Sequence, residues 1–217
     1  MPPSDIAWII GAGTFGNKAA QTLLKNHDPS TILVVDHDEL ALAKLSGLRV
    51  GTLKSEATDF LVRNLLKNNS PNWIIPCVPY HLAWEWLLGR LGPKASPITV
   101  PDTCRLFLPQ AWPTQRGGYA VSYADFICPP DCPEPQNICT HTGLPRPGLL
   151  YKELERLHLA GYYTMVLRSR QIAPGLGGCL SRDLLELEKE ALTLQGHLLL
   201  ATACKCHGVI NALAVSG

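Results

Sequence analysis

Gly11, Gly13 and Gly16 follow the apolar run Ile6–Ile10 in the spacing G-x-G-x-x-G, and the residues after them have the composition of a helix. Glycines at these positions suit a dinucleotide. Gly11 permits the tight turn that leaves a strand, Gly13 lets backbone approach a pyrophosphate with no Cβ between, and Gly16 lets helix and strand pack closely. Thr14 and Phe15 complete a turn that aims a helix amino end, with its unpaired N–H groups, at phosphate oxygens. A second apolar run, Thr31–Val35, ends at Asp36, twenty residues after Gly16. A carboxylate there accepts ribose hydroxyls and repels a 2′-phosphate, and no arginine stands at 37–40, a pattern that favours NAD over NADP. His37, beside Asp36, and Cys77, Val78 and Pro79, which end a later apolar run, join the candidate cofactor-binding residues.

The other reactive grouping is thiol chemistry. Cys128, Cys132 and Cys139 lie within twelve residues, two of them followed by proline. Thiolates are soft ligands for zinc or an iron–sulfur cluster, and prolines limit the entropy lost when such a loop closes. The spacing C-x3-C-x6-C matches neither the C-x2-C knuckle of a zinc ribbon nor the usual ferredoxin run. Cys204, Cys206 and His207 follow the apolar run 197–203, at the strand edge where sites gather in α/β sheets, and are the candidates for a further ligand. The alternative is that the three clustered cysteines pack a proline-rich loop; Cys77, Cys104 and Cys179 read as small buried hydrophobes. His81, just past the run that ends at Cys77, lies close to where a nicotinamide would sit and is the candidate catalytic acid–base. Arg168-Ser-Arg170, ahead of Pro174-Gly-Leu-Gly-Gly178, suits an anionic substrate.

The elements that must position these residues alternate. Strands are expected at 6–10, 31–35, 48–51, 72–78 and 97–100, with helices at 14–26, 39–46, 58–68 and 80–91 between them. That alternation implies βαβ units and a parallel sheet. Trp84 and Trp86 cannot share one helix face, so at least one should pack against a partner or the second half. Eleven of the 18 prolines then fall between Pro93 and Pro147, which predicts a largely irregular stretch around a strand at 118–127. Periodic structure resumes with a helix at 149–159, a strand at 162–167, a glycine-rich turn at 174–178, a helix at 181–194 and a strand at 197–203. The fold class expected is α/β, a doubly wound parallel sheet with a Cys/Pro-rich α/β C-terminal portion. The division expected is a nucleotide-binding domain at 1–100 and a portion at 101–217 that continues the same sheet or stands beside it.

The first hundred residues resemble the Rossmann-type NAD-binding modules of the TrkA-N (RCK) and saccharopine-dehydrogenase-like groups. The resemblance lies in Ile9-Ile-Gly-Ala-Gly-Thr-Phe-Gly-Asn-Lys-Ala-Ala20, in Val34-Val-Asp-His-Asp-Glu39 followed by Ala43-Lys-Leu45, and in Gly47-Leu-Arg-Val-Gly51. Thr52-Leu-Lys54 stands where the TrkA-N pattern places an acidic residue. The resemblance implies a fold and an NAD ligand for under half of the chain.

Composition bounds the rest. The 217 residues, 46% hydrophobic and 17% charged, suffice for a real core, and a net charge of +1 gives no electrostatic footprint for nucleic acid or an anionic membrane. No apolar run has the length of a transmembrane helix, and Met1-Pro-Pro-Ser-Asp5 runs straight into the first strand, which predicts a cytoplasmic protein without membrane insertion. Eight cysteines are then expected as thiols or metal ligands. The function expected is an NAD-dependent oxidoreductase acting on a small molecule, with iron–sulfur or zinc at the cysteines. The alternative is a non-catalytic NAD-responsive regulatory subunit that joins a partner subunit or a second copy of itself.

Overall fold

Apolar runs without polar alternation make strands buried on both faces, and the first half of the chain builds three of them beside an exposed edge strand. The computed structural model describes residues 2, 5–68 and 70–216, so most of the Met1–Asp5 segment lies outside the described residues. Strand β1 (Ala7–Ile10) leads to helix α1 (Thr14–Leu23), β2 (Ile32–Asp36), α2 (Glu39–Ala43), β3 (Gly51–Lys54), α3 (Ala57–Asn64) and β4 (Trp73–Pro76). These strands are parallel in the order β3-β2-β1-β4. The third strand starts three residues later than the pattern at 48–51 predicts. Arg49 adopts a left-handed conformation, φ 57°, which no strand interior accommodates, and Ser46–Leu48 forms a 3-10 turn.

Beyond β4 the chain leaves the parallel pattern. Helix α4 (Leu82–Leu91) is followed by β5 (Ala95–Ile98), β6 (Gln110–Pro113), β7 (Tyr119–Ser122), an irregular stretch and α5 (Leu150–Glu155). Then come β8 (Tyr162–Arg168), β9 (Arg170–Ala173), β10 (Leu176–Leu180), α6 (Ser181–Ala191), β11 (Gly196–Ala203) and β12 (His207–Val215). Strand β10 pairs antiparallel with β4, and β9 with β10, so they extend the first sheet. The second sheet runs β6-β7-β12-β11-β8, with β5 antiparallel to β12. The protein is therefore α/β with two mixed sheets. The expected fifth parallel strand belongs instead to the second sheet, and the expected glycine-rich turn is the hairpin β9–β10. Gly178 sits where a Cβ would approach the Ile74 carbonyl at 2.9 Å, so that segment can pair with β4 only as glycine.

Three helices, α3, α4 and α6, form a layer shared by both sheets. Phe60, Leu61, Trp86, Leu87, Leu184 and Leu187 pack on Ile10, Val35 and Ile74 of the first sheet and on Leu198, Leu200 and Leu213 of the second. The other face of β11, Leu199 and Ala201, packs on Leu150, Tyr151 and Leu154 of α5, which is why β11 reads as an unbroken apolar run. Helices α1 and α2 cover the outer face of the first sheet through Ala19, Ala20, Leu23 and Leu42. Both tryptophans of α4 are buried, and Trp84 Nε1 donates to the Ala212 carbonyl of β12 at 3.0 Å. A cut at residue 100 thus does not separate two packing units. No helix among the described residues is long and apolar enough to cross a membrane.

Candidate functional site

The glycine loop stands at the carboxyl end of β1, where β2 and β4 flank it. Gly11 has φ +108° and lies so near β4 that a Cβ would come within 2.6 Å of the Cys77 carbonyl; a Cβ on Gly16 would fall on the Gly11 carbonyl. Gly13 differs, since a Cβ there would meet nothing within 4 Å. The space above it belongs to a cavity of about 430 Å³ lined by Gly13, Thr14, Phe15, Lys18, Cys77 and the Val78-Pro79 segment, among others. Gly11 and Gly16 lie beneath that cavity as structural glycines. Asp36 and His37 stand to one side, at the end of β2. Asp36 Oδ2 accepts the Ala12 N–H at 2.5 Å, its Oδ1 accepts the Asp38 N–H at 2.8 Å, and His37 Nδ1 lies 3.3 Å from Oδ1. Burial pushes the Cys77 thiol up to about 12.

His81 does not reach this cavity. It is 5% exposed, at the start of α4, with Nδ1 3.1 Å from Asn211 Oδ1 and Nε2 2.8 Å from Thr202 Oγ1. Asn211 Nδ2 donates to the Arg116 carbonyl at 3.2 Å, which turns Oδ1 toward the ring; the imidazole therefore carries its proton on Nδ1 and accepts the Thr202 hydroxyl on Nε2. Burial drives its pKa from 6.5 down to about 4, against the opposing Asn211 bond, so His81 is a neutral bridge between α4, β11 and β12. The arginines of 168–170 are likewise engaged. Arg168 lies over the Tyr151 ring at 4.4 Å, and Arg170 pairs with Asp183 at 2.5 Å.

The six thiol and imidazole candidates converge. Cys128, Cys132, Cys139, Cys204, Cys206 and His207 line one cavity of about 490 Å³, although they come from two segments 65 residues apart in sequence at their nearest, Cys139 and Cys204. The convergence follows from β12, which sequence patterning misses. Cys204–His207 is the tight turn of the β11–β12 hairpin, with the Cys204 N–H bonded to the His207 carbonyl at 2.9 Å, and the irregular stretch folds over it. Lys205 N donates to Glu134 Oε1 at 2.8 Å and Lys205 Nζ to the Glu134 carbonyl at 3.0 Å. Arg146 donates to Cys206 Sγ and to the Pro135 carbonyl at 2.5 Å, and Cys128 Sγ lies 3.4 Å from His207 Nε2.

The electrostatics within the cavity are uneven. Burial raises the Cys204 thiol to about 11 and lifts Cys128, whose neighbours Cys132 and Cys139 add to the shift. Burial also lifts Cys206, against the pull of Arg146, and lowers His207. Cys139 moves the other way, below the usual thiol range, because backbone N–H groups of Thr142 and His141 and the Thr142 hydroxyl bond its sulfur. Among the described residues no three His, Cys, Asp or Glu side chains are drawn closely enough together to surround one ion.

The two cavities share a wall. Gly175, Leu176 and Gly177, at the β9–β10 turn, line both. The Gly175 N–H donates to the Cys132 carbonyl at 2.9 Å and Gln171 Nε2 to the same carbonyl at 2.7 Å, while Lys18 of α1 donates to the Pro130 carbonyl at 2.8 Å. The cysteine loop is thereby held against both sheets.

A family model, AF_1314_C, described as the C-terminal domain of an uncharacterized protein, matches residues 83–216, from within α4 through the second sheet. An uncharacterized protein of Archaeoglobus fulgidus is 33% identical in an alignment of 217 positions that covers 94% of this chain and 97% of that protein. The chain belongs to the AF_1314_C family. No solved structure matches it.

Proposed function

We propose that this member of the AF_1314_C family binds a dinucleotide of the NAD(H) type over the glycine loop and works as a redox protein. The observation that carries the proposal is the contrast among the three glycines. Gly11 and Gly16 are hemmed in by backbone, whereas Gly13 faces open space at the amino end of α1, as a glycine does when a ligand needs its missing Cβ. The parallel order β3-β2-β1-β4 is that of the first four strands of the doubly wound Rossmann sheet, whose ligands lie at the carboxyl edge. Asp36 Oδ2 keeps a lone pair after receiving the Ala12 N–H, enough to accept a ribose hydroxyl. Strands β10 and β9 occupy, antiparallel, the places of that sheet's fifth and sixth strands, so the far end of the dinucleotide would lie against Cys77–Pro79 and Gly175–Gly177, which bound the same cavity. Calorimetric titration tests this: NADH should bind more tightly than NADPH, Asp36→Ala should narrow the difference, and Gly13→Val should abolish binding of both. Equal affinities, or a preference for NADPH, would overturn the role given to Asp36.

One observation favours a non-catalytic, NAD-responsive subunit instead. Hydride exchange with an alcohol or amine needs a proton carrier at the nicotinamide, and a sensor needs none. His81 has both ring nitrogens engaged elsewhere, Lys18 is committed to Pro130, and the Cys77 thiol is held at about 12. Removing two electrons one at a time, by two ferricyanide ions, turns NADH into NAD+ and releases the C4 proton to water, which needs no protein carrier. Oxidation of bound NADH by ferricyanide, catalysed by the protein, distinguishes the redox protein from a sensor that binds without turnover.

A further inference from the structure

Backbone amides point at two of the cavity's sulfurs. Cys132 Sγ accepts the Glu134 N–H at 3.4 Å, and Cys204 Sγ accepts the Cys206 and His207 N–H groups at 3.5 and 3.4 Å. In each case the donors come two or three residues after the cysteine, so the turn itself aims them. A neutral thiol is a weak acceptor, and an N–H directed at sulfur stabilises chiefly a thiolate. Two turns that each prepare a place for anionic sulfur, around a cavity lined by five thiols, need a positive charge to offset them. The fixed cations at the cavity are insufficient. Arg146 is spent on Cys206 and Pro135, and Lys205 on Glu134. A metal centre supplies what is missing.

The layout fits a polynuclear centre better than a single ion. Zinc would draw four donors to within about 2.3 Å of one point, whereas these donors stand around a space of about 490 Å³. Cys206 is set apart from the others. Its amide serves the Cys204 sulfur, and its own thiol is capped by the Arg146 guanidinium, whose Nε is buried without a partner. Cys128 Sγ, beside His207 Nε2, faces the same space with no such cap.

We propose that this cavity holds an iron–sulfur cluster ligated by Cys128, Cys132, Cys139 and Cys204, with Cys206 and Arg146 positioned beside it as hydrogen-bonding neighbours. None of the four ligands is among the residues given to the nucleotide, and iron, sulfide and thiol protection are read without NAD(H), so failure here is distinguishable from failure of the NAD(H) proposal.

The full chain, purified anaerobically and reconstituted with ferrous iron and sulfide, should hold iron and acid-labile sulfide in equal number and show visible absorption that dithionite bleaches. Cys132→Ser, Cys139→Ser and Cys204→Ser should each lose most of the iron, while Cys206→Ser and Cys104→Ala should keep it. A second measurement needs no variant: alkylation of the native, iron-loaded chain followed by peptide mass mapping should find the four ligand thiols protected, and a chelator should expose them. Zinc at one ion per chain without acid-labile sulfide, or no bound metal after reconstitution, would overturn the cluster. Iron kept by Cys204→Ser and lost by Cys206→Ser, or protection of Cys206 in place of one of the four, would overturn the ligand assignment.

Discussion

Acid should weaken this fold through His81 before most carboxylates respond. Burial holds the imidazole at about 4 in the folded protein against 6.5 unfolded, so between these values the unfolded chain takes up a proton that the folded chain refuses. Stability therefore falls as pH drops from 6.5 toward 4, and this contribution is flat above and below that window. A gap of about 2.5 units at 1.36 kcal/mol per unit amounts to about 3 kcal/mol, a large share of a typical domain's stability. His81→Gln keeps an amide able to donate to Asn211 and accept from Thr202 but cannot titrate. Urea unfolding followed by tryptophan fluorescence, at intervals from pH 8 to pH 4, gives stability curves for both proteins, and carboxylate effects cancel in their difference. Wild type should lose about 3 kcal/mol more than the variant across the window. Parallel curves would show that the ring is solvated or already charged in the folded state, and would refute its role as a neutral bridge.

Two glycines give further tests. Gly16→Ala places a methyl on the Gly11 carbonyl, backbone that cannot turn aside, and should cost roughly 1–3 kcal/mol, read as a lowered Tm together with loss of NADH binding. Gly175→Ala meets both a φ of +70° and the Pro130 carbonyl, so it should loosen the cysteine loop while leaving the core intact; limited proteolysis should cut faster between Pro113 and Pro147 with little change in Tm.

What the sequence discloses here is whatever is encoded over a few residues. The turn after β1 is legible because each glycine answers a local steric demand, and the thiols 128, 132, 139, 204 and 206 stand out because their chemistry does not depend on where the chain goes next. The role of His81 is illegible for the opposite reason, since its partners Thr202 and Asn211 lie 121 and 130 residues away. Strand β12 escapes notice because Cys204–His207, which carries no glycine or proline, is the turn that precedes it. Strand β5 reads as one more member of the parallel series, and only its partner β12 shows otherwise. The amide-to-sulfur bonds depend on backbone conformation after each cysteine, which spacing does not encode.

The Pro130 carbonyl ties the two ends of the site into one thermodynamic system. It receives the Lys18 ammonium of the helix that opens on the glycine loop, and it belongs to the segment between Cys128 and Cys132. A phosphate that draws Lys18 toward itself takes a bond from the cysteine loop, and anything that stiffens that loop alters how freely Lys18 can turn away. Where a ligand does break that bond, reciprocity makes the free energy the same in both directions: loading of the loop would change affinity at the helix, and occupancy at the helix would change the hold on the loop.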